Sequence, residues 1–255
     1  MGAVALPCVR SFSERLSDFL DIVECRPIET EDDMEAVFRL RYDAYVREGA
    51  ISRNFTKRFT DAYDDTQNVW IFGVYVEDRL ASSIRIHVAS PECPDSPGMS
   101  AFPDLLVPEI ARGRTIVDPT RFVTDHAMAR LHPELPYATV RLGFLASEHF
   151  EADLGLATVR AEHQAFYKRL FGLRPMCGPR PYPNLSKPIS LMSIHYPSVR
   201  EGIVARYPFL ASTPVELHML FDRFLGTRGR RAALDQMAFA RSGLAGGEFA
   251  VSLAG

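Results

Sequence analysis

Arg41 lies inside an apolar helical stripe. Met34, Val37, Phe38, Tyr42 and Tyr45 recur at helical spacing, and Arg41 falls three residues after Phe38 and four before Tyr45. A guanidinium in that position requires a carboxylate from elsewhere in the chain. The run Asp61-Ala62-Tyr63-Asp64-Asp65 is the nearest supply. Arg85 and Arg121 make the same demand on predicted strands. Asp118 precedes Arg121 by three residues, so a regular strand would turn the two side chains to opposite faces. Pro119 lies between them and predicts either a bulge or a sheet edge. A bulge would free a backbone N–H to stabilise a developing oxyanion; an edge would carry no chemistry. His163 follows Glu162 at the head of a predicted helix. Its unperturbed pKa near neutrality suits a general base, with capping or packing as the alternative. The seven histidines show no His-x-x-x-His spacing, so no metal site is predicted.

The elements that position these residues can be read from pattern. Phe12, Leu16, Phe19, Leu20 and Val23 share one face of a short lead-in helix. Cys25 to Ile28 reads as a first strand. Thr30 is a helix N-cap followed by Glu31, Asp32 and Asp33, and the helix carrying Arg41 runs to about Arg47. Val69 to Val76 is a buried strand with the single tryptophan, Trp70, and returns through Glu77-Asp78-Arg79 as a hairpin over Leu80 to Val88. In the return strand Ile84, Ile86 and Val88 alternate with Arg85 and His87, which predicts one core face and one polar face. Ala101 to Ile110 reads as irregular or a short helix. Thr115 to Val123 is the strand interrupted by Pro119. Tyr137 to Asp153 reads as a helix ended by Gly155, Leu156 to Ala161 as a strand, His163 to Phe171 as a helix closed by Gly172, and Ile189 to Tyr196 as the last strand. Pro214 to Leu225 and Ala232 to Ala240 read as two added helices. Three segments follow: a helical lead-in (1–24), a main domain (25–197) and a C-terminal helical extension (198–255).

The ordered set Phe38-Arg39-Leu40-Arg41-Tyr42, Asp61-Ala62-Tyr63-Asp64, Ser82-Ser83-Ile84-Arg85 and Asp118-Pro119-Thr120-Arg121-Phe122 resembles the autoinducer-synthase-like branch of the GNAT acyltransferases. That branch holds the acyl-homoserine-lactone synthases and the long-chain N-acyl amino acid synthases. The text from Arg160 to Ile194 is more similar to the second group, the N-acyl tyrosine synthases of the FeeM type. The family pattern has glycine at Ser82 and glutamate at Asp118, and the second change shortens a carboxylate that the family places near the acceptor amine. The resemblance implies an α/β fold of GNAT type, a mixed central sheet flanked by helices, with added C-terminal helices here.

It implies further a transfer of a long fatty acyl group from an acyl-carrier-protein thioester to the amine of an amino acid, tyrosine being one candidate. Asp118, Tyr167 and His163 are the implied catalytic residues. Tyr167 would protonate the leaving thiol, or else is a core tyrosine beside Phe166 and Phe171. Arg41, Asp61, Asp64, Arg85, Arg121 and Phe122 are the implied substrate-binding set, or else an ion network that fixes the loops. No cofactor is implied beyond the phosphopantetheine thioester, or acyl-CoA, as co-substrate. The pyrophosphate loop of acetyl-CoA enzymes is missing, and Arg141-Leu142-Gly143-Phe144 does not supply it; this favours a carrier-protein donor. Carrier proteins are acidic, so Arg53, Lys57 and Arg58 form one docking candidate and Arg228, Arg230 and Arg231 another. The alternatives are a lactone synthase that uses S-adenosylmethionine, and a GNAT-fold module that binds an acyl group without turnover. Gly49 to Thr60 carries Phe55 and Phe59 but no tryptophan, unlike lactone synthases. A tunnel lined by Val117, Phe122, Phe144 and Leu145 would favour an enzyme over the inert module.

The chain of 255 residues carries a formal net charge of −3, which gives no case for nucleic-acid binding. Cys8, Cys25, Cys93 and Cys177 are widely spaced, which suits a reducing cytoplasm. No signal peptide or membrane-spanning segment is predicted.

Overall fold

The computed structural model describes residues 11–182 and 184–222. The candidates at Arg228, Arg230, Arg231 and Ala232 to Ala240 lie outside the described residues. The chain divides into two compact units, Met1–Ala211 and Ser212–Gly255. In the second, the described part holds one helix, Pro214–Phe221, capped by the Thr213 side chain.

The first unit is a seven-stranded sheet with helices on both faces. Helix α1 (Phe12–Ile22) starts in a capping box between Ser11 and Glu14. Strand β1 (Val23–Pro27) leads to α2 (Glu31–Arg47), whose N-cap is Thr30 as its pattern predicts. A 3-10 turn at Ala62–Asp65 precedes the hairpin of β2 (Val69–Val76) and β3 (Arg79–Ala89). The hairpin turn places Glu77 and Asp78 both at positive φ, as a two-residue turn with the twist of its strands requires. Helices α3 (Pro97–Ala101) and α4 (Pro103–Ala111) follow, with Phe102 and Leu106 fully buried in a cluster with Ile116, Leu154 and Leu191. Then come β4 (Ile116–Thr124), α5 (His126–Leu131), α6 (Leu135–His149), β5 (Leu154–Val159) and α7 (Gln164–Phe171). Gly172 closes α7 in the left-handed region, φ 72. Strands β6 (Arg174–Pro175) and β7 (Ser190–His195) and helix α8 (Tyr196–Arg206) complete the unit.

The sheet order is β1-β2-β3-β4-β5-β7-β6. Among the named strands, only the β4–β5 neighbours run parallel, and they pair at just two positions, Ile116 with Leu154 and Val117 with Gly155. Beyond those pairs the strands part, and the gap between them organises the site.

Two expectations are met and two need correction. First, strand β3 has the predicted core face and polar face, and both are buried: Ala81 to Ala89 are all covered. Ser82 accepts a hydrogen bond from Thr139 of α6 (2.8 Å), so even positions face α6, while Arg85 on the other face meets Asp61 and Asp64. The alternation is real, and both faces are covered. Second, Gly155 does not cap α6. The helix ends at His149, and Gly155 is a β5 residue whose missing Cβ admits the Ile194 side chain of β7; a Cβ there would stand 3.3 Å from it. Third, of the two forms expected for Ala101 to Ile110 the structure takes the short helix, with Pro97 and Pro103 both in first-turn positions that proline tolerates. Fourth, the bulge is not at Pro119. Thr120 pairs with Arg85 and Val123 with Ser83, so Arg121 and Phe122 together oppose Ile84, with Arg121 at φ 52.

Candidate active site

The bulge decides where the charged groups meet. In a regular strand Thr120 and Arg121 would point to opposite faces. At positive φ, Arg121 turns onto the face of Thr120, where both join the network predicted from Arg41. Arg41 Nη1 donates to Asp64 Oδ1 (2.7 Å) with both side chains almost wholly buried. Arg85 Nη1 donates to Asp61 Oδ1 (2.6 Å) and Asp64 Oδ1 (2.8 Å), and its Nε to Thr120 Oγ1 (3.1 Å). Arg121 Nη2 donates to Asp61 Oδ2, and its guanidinium lies 4.4 Å from the Phe59 ring centroid. Asp61 caps the 3-10 turn that carries Asp64, and Asp64 Oδ2 accepts from the Asp61 N–H (3.0 Å) and Thr60 Oγ1 (2.9 Å). Burial raises the Asp61 and Asp64 carboxyls, but the guanidiniums outweigh it and leave both below the usual carboxylate range.

Thus Arg41, Asp61, Asp64, Arg85 and Arg121 come together as one cluster. Arg41 and Asp64 are turned inward and do not reach the cavity described next; Arg121 and Phe122 line it.

The parting of β4 and β5 opens a cavity of about 440 Å³. On the α6 face its wall is apolar: Val140 and Phe144 of α6, Phe171 of α7, and Tyr196, Val199 and Ile203 of α8. On the α2 face it is polar, with Tyr45, Glu48, Arg121, Arg160 and Lys187. A cavity greasy at one end and charged at the other fits an amphiphile. Of the expected tunnel residues, Val117, Phe122 and Phe144 line it, whereas Leu145 lies on the next helical position and is fully buried in the core.

Tyr167 lines the cavity from α7. Burial, with a smaller contribution from Tyr45, pushes its phenol well above the usual value, so it keeps its proton. His163 also lines the cavity, at its exposed rim, with a ring nitrogen 2.9 Å from Arg160 Nη2. Asp118 does not line it. Its strand neighbours Val117 and Pro119 do, so alternation turns Asp118 the other way, onto α3. There it is fully buried and its Oδ2 accepts the Gly98 N–H (2.8 Å). Burial raises its pKa, against the Gly98 and Ser96 hydrogen bonds. Opposite it in the ladder stands His87, also fully buried, with Nε2 3.1 Å from the Tyr63 carbonyl. Burial, followed by Arg85, pushes the His87 imidazole down to about 3.

The three expected docking cations, Arg53, Lys57 and Arg58, are all exposed. Arg58 pairs with Glu35 (2.8 Å) and lies 5.1 Å from the Phe38 ring. Phe55 stands fully exposed between Arg53 and Lys57.

Pattern reading missed Arg160 and the α8 residues as wall groups. Tyr196, Val199 and Ile203 do recur at helical spacing, but Pro197 and Gly202 mask the signal. For Arg160 no sequence signal exists, since its place depends on long-range packing.

A family profile described as N-acyl amino acid synthase FeeM matches residues 36–195. No curated protein sequence matches the chain. Among solved structures, FeeM, an N-acyl amino acid synthase from uncultured soil microbes, is similar with a TM-score of 0.58 at 17% identity, over 70% of this chain and 93% of that one. BjaI, a CoA-dependent acyl-homoserine lactone synthase, is similar with a TM-score of 0.51 at 18% identity, over 73% and 90%. MesI, a second CoA-dependent lactone synthase, gives 0.51 at 18%, over 78% and 100%. The mixed sheet flanked by helices is the GNAT-like fold of these acyltransferases.

Proposed function

Because this chain belongs to the FeeM family of N-acyl amino acid synthases, and is therefore an acyltransferase, we propose that it moves a long-chain fatty acyl group from a carrier-protein thioester to the α-amine of an amino acid. The observation that carries the proposal is the two-ended cavity through the β4–β5 gap. The acyl chain lies among Phe144, Phe171, Val199 and Ile203. The thioester carbonyl lies at the bulge, where Arg121 and Phe122 oppose one residue and a backbone N–H is released from the ladder to face the oxyanion.

The amine attacks that carbonyl. The C–N bond forms, and the carbonyl electrons pass to the oxygen and return as the C–S bond breaks. His163 takes the ammonium-derived proton, and Tyr167 gives its phenolic proton to the leaving thiolate. Asp118 acts without touching substrate: its carboxylate ties β4 to α3 through the Gly98 N–H and so positions the bulge. Arg53 and Lys57, flanking Phe55, receive the acidic carrier protein. Tyrosine is the acceptor that the family resemblance favours.

The experiment is mass spectrometry of lipid extracts from cells expressing wild type beside Tyr167→Phe. N-acyl amino acids present with wild type and depleted in the variant support the proposal. Acyl lactones in their place would replace it with the S-adenosylmethionine reaction. Arg53→Glu with Lys57→Glu should raise KM for a carrier-bound donor and leave an acyl-CoA donor unaffected; equal effects on both would remove the docking assignment.

A further inference from the structure

Beside the main cavity lies a second, smaller one of about 30 Å³, lined by Tyr45, Thr120, Arg121, Thr158, Tyr182 and hydrophobic side chains of the following loop and strand. It sits in the β4–β5 gap, since Thr120 and Arg121 belong to β4 and Thr158 to β5. The two cavities share Tyr45, Thr120, Arg121 and Thr158 as wall residues, so a group in the small one adjoins a ligand in the large one. Its volume holds about two water-sized groups, each needing roughly 10–15 Å³. Two oxygens of one carboxylate match that size.

The charge around it points the same way. Three guanidiniums, those of Arg41, Arg85 and Arg121, share two paired carboxylates, Asp61 and Asp64. Asp118, the third carboxyl on that face, accepts the Gly98 N–H instead and forms no ion pair with them among the described residues. The cluster therefore holds one more guanidinium than it has paired carboxylates. Arg121 is the guanidinium that reaches both cavities, it is more than nine-tenths buried, and the aromatic rings of Phe59 and Tyr45 fix its plane. Tyr182 is nearly fully buried and stands in the same wall as Thr158.

Resting on the acyltransferase function proposed above, we infer that this small polar cavity is the acceptor's carboxylate subsite: Arg121 and the Tyr182 hydroxyl hold the α-carboxylate and thereby restrict acceptors to amines that carry one. A carboxamide of the same shape brings two N–H donors toward a guanidinium and loses the charge, so it is rejected. The bulge explains the economy of the arrangement. By turning Arg121 onto the Asp61 face at the rim of the gap, it sets the carboxylate anchor beside the carbonyl-binding backbone.

The test uses the full-length protein and two synthetic ligands, N-dodecanoyl-L-tyrosine and N-dodecanoyl-L-tyrosinamide, by isothermal titration. The free acid should bind wild type at least about tenfold more tightly, the worth of one hydrogen bond to a charged group. Tyr182→Phe should cut that ratio several-fold while binding of the carboxamide stays unchanged. Arg121→Lys should do the same where it folds, and Tyr182→Phe keeps the test decisive where it does not. Equal affinity of wild type for both ligands would overturn the subsite and leave the acyltransferase proposal standing. Binding of neither ligand would overturn both, because the acyl cavity itself would then not accept the chain. A wild-type ratio unmoved by either variant would place the carboxylate elsewhere and overturn the assignment.

Discussion

Replacing Asp64 by alanine strands a guanidinium that has no exposure to water. The Arg41 side chain is wholly buried; among the described residues its one ion-pair partner is Asp64 Oδ1, at 2.7 Å, and its Nε and Nη2 have no hydrogen-bond partner. Asp64 also accepts from Arg85, Thr60 and the Asp61 N–H. Removing one member of such a buried pair costs about 3–5 kcal/mol. For a protein of this size each kcal/mol moves the melting temperature by about 2–4 °C, so Asp64→Ala should melt roughly 6–20 °C lower. The double variant Arg41→Met with Asp64→Ala removes the stranded charge and should recover a substantial part of the loss. Thermal denaturation of wild type, both single variants and the double variant at pH 7 gives the cycle. An Asp64→Ala protein melting within a degree or two of wild type, or a double variant no more stable than Asp64→Ala, would refute the pairing. Acid should act on the same group. Its folded pKa is depressed, so its contribution is fully present above the unfolded value near 3.9 and is lost as pH falls below that toward the folded pKa.

Three other outcomes follow from the same geometry. His87 titrates near 3 when folded and near 6.5 when unfolded, so the unfolded chain binds the extra proton between those values and stability falls with falling pH there, by about 1.4 kcal/mol per unit. Asp118, whose pKa is raised, acts in the opposite sense, so the comparison must be of His87→Gln with wild type by denaturant titration at pH 7 and pH 5; an identical pH slope in the two would remove His87 as the cause. Tyr167→Phe should lower kcat by roughly 10²–10⁴ at near-normal melting temperature, whereas Asp118→Asn, which keeps an acceptor for the Gly98 N–H, should cost less; steady-state kinetics with both variants checks the order. Val199→Trp narrows the apolar end of the cavity and should shift products toward shorter chains, each excluded methylene costing about 0.8 kcal/mol, near fourfold in affinity; an unchanged chain-length profile would place the acyl tail elsewhere.

How much of this was legible beforehand depended on range. Arg41 announced its own partner, because a charge in an apolar helical stripe must be neutralised and Asp61 and Asp64 were close in the chain. Local chemistry also located the Thr30 cap, the hairpin between β2 and β3, and Gly172 at the end of α7. Features set by tertiary packing escaped. Pro119 advertised a bulge that the chain makes two residues later, since a proline signals lost pairing but not where the extra residue is absorbed. Arg121 at positive φ has no sequence mark at all, because only the surrounding network stabilises that backbone. Asp118 was expected at the acceptor amine, and the pattern could not show that its side chain turns onto α3. His87 was legible as part of the polar face of an alternating strand, but not the burial of that face under α2 and the 3-10 turn. The wall supplied by α8 was hidden by Pro197 and Gly202.

The most direct measurement mixes the purified protein with dodecanoyl thioesters of acyl carrier protein and of CoA, each with free tyrosine, and follows the products by mass spectrometry. Appearance of N-dodecanoyl-tyrosine in step with free thiol, abolished or strongly slowed by Tyr167→Phe, is the expected result. Free thiol released with fatty acid as the sole acyl product, or no thiol release from either donor by folded protein, would contradict acyl transfer to an amine at this cavity.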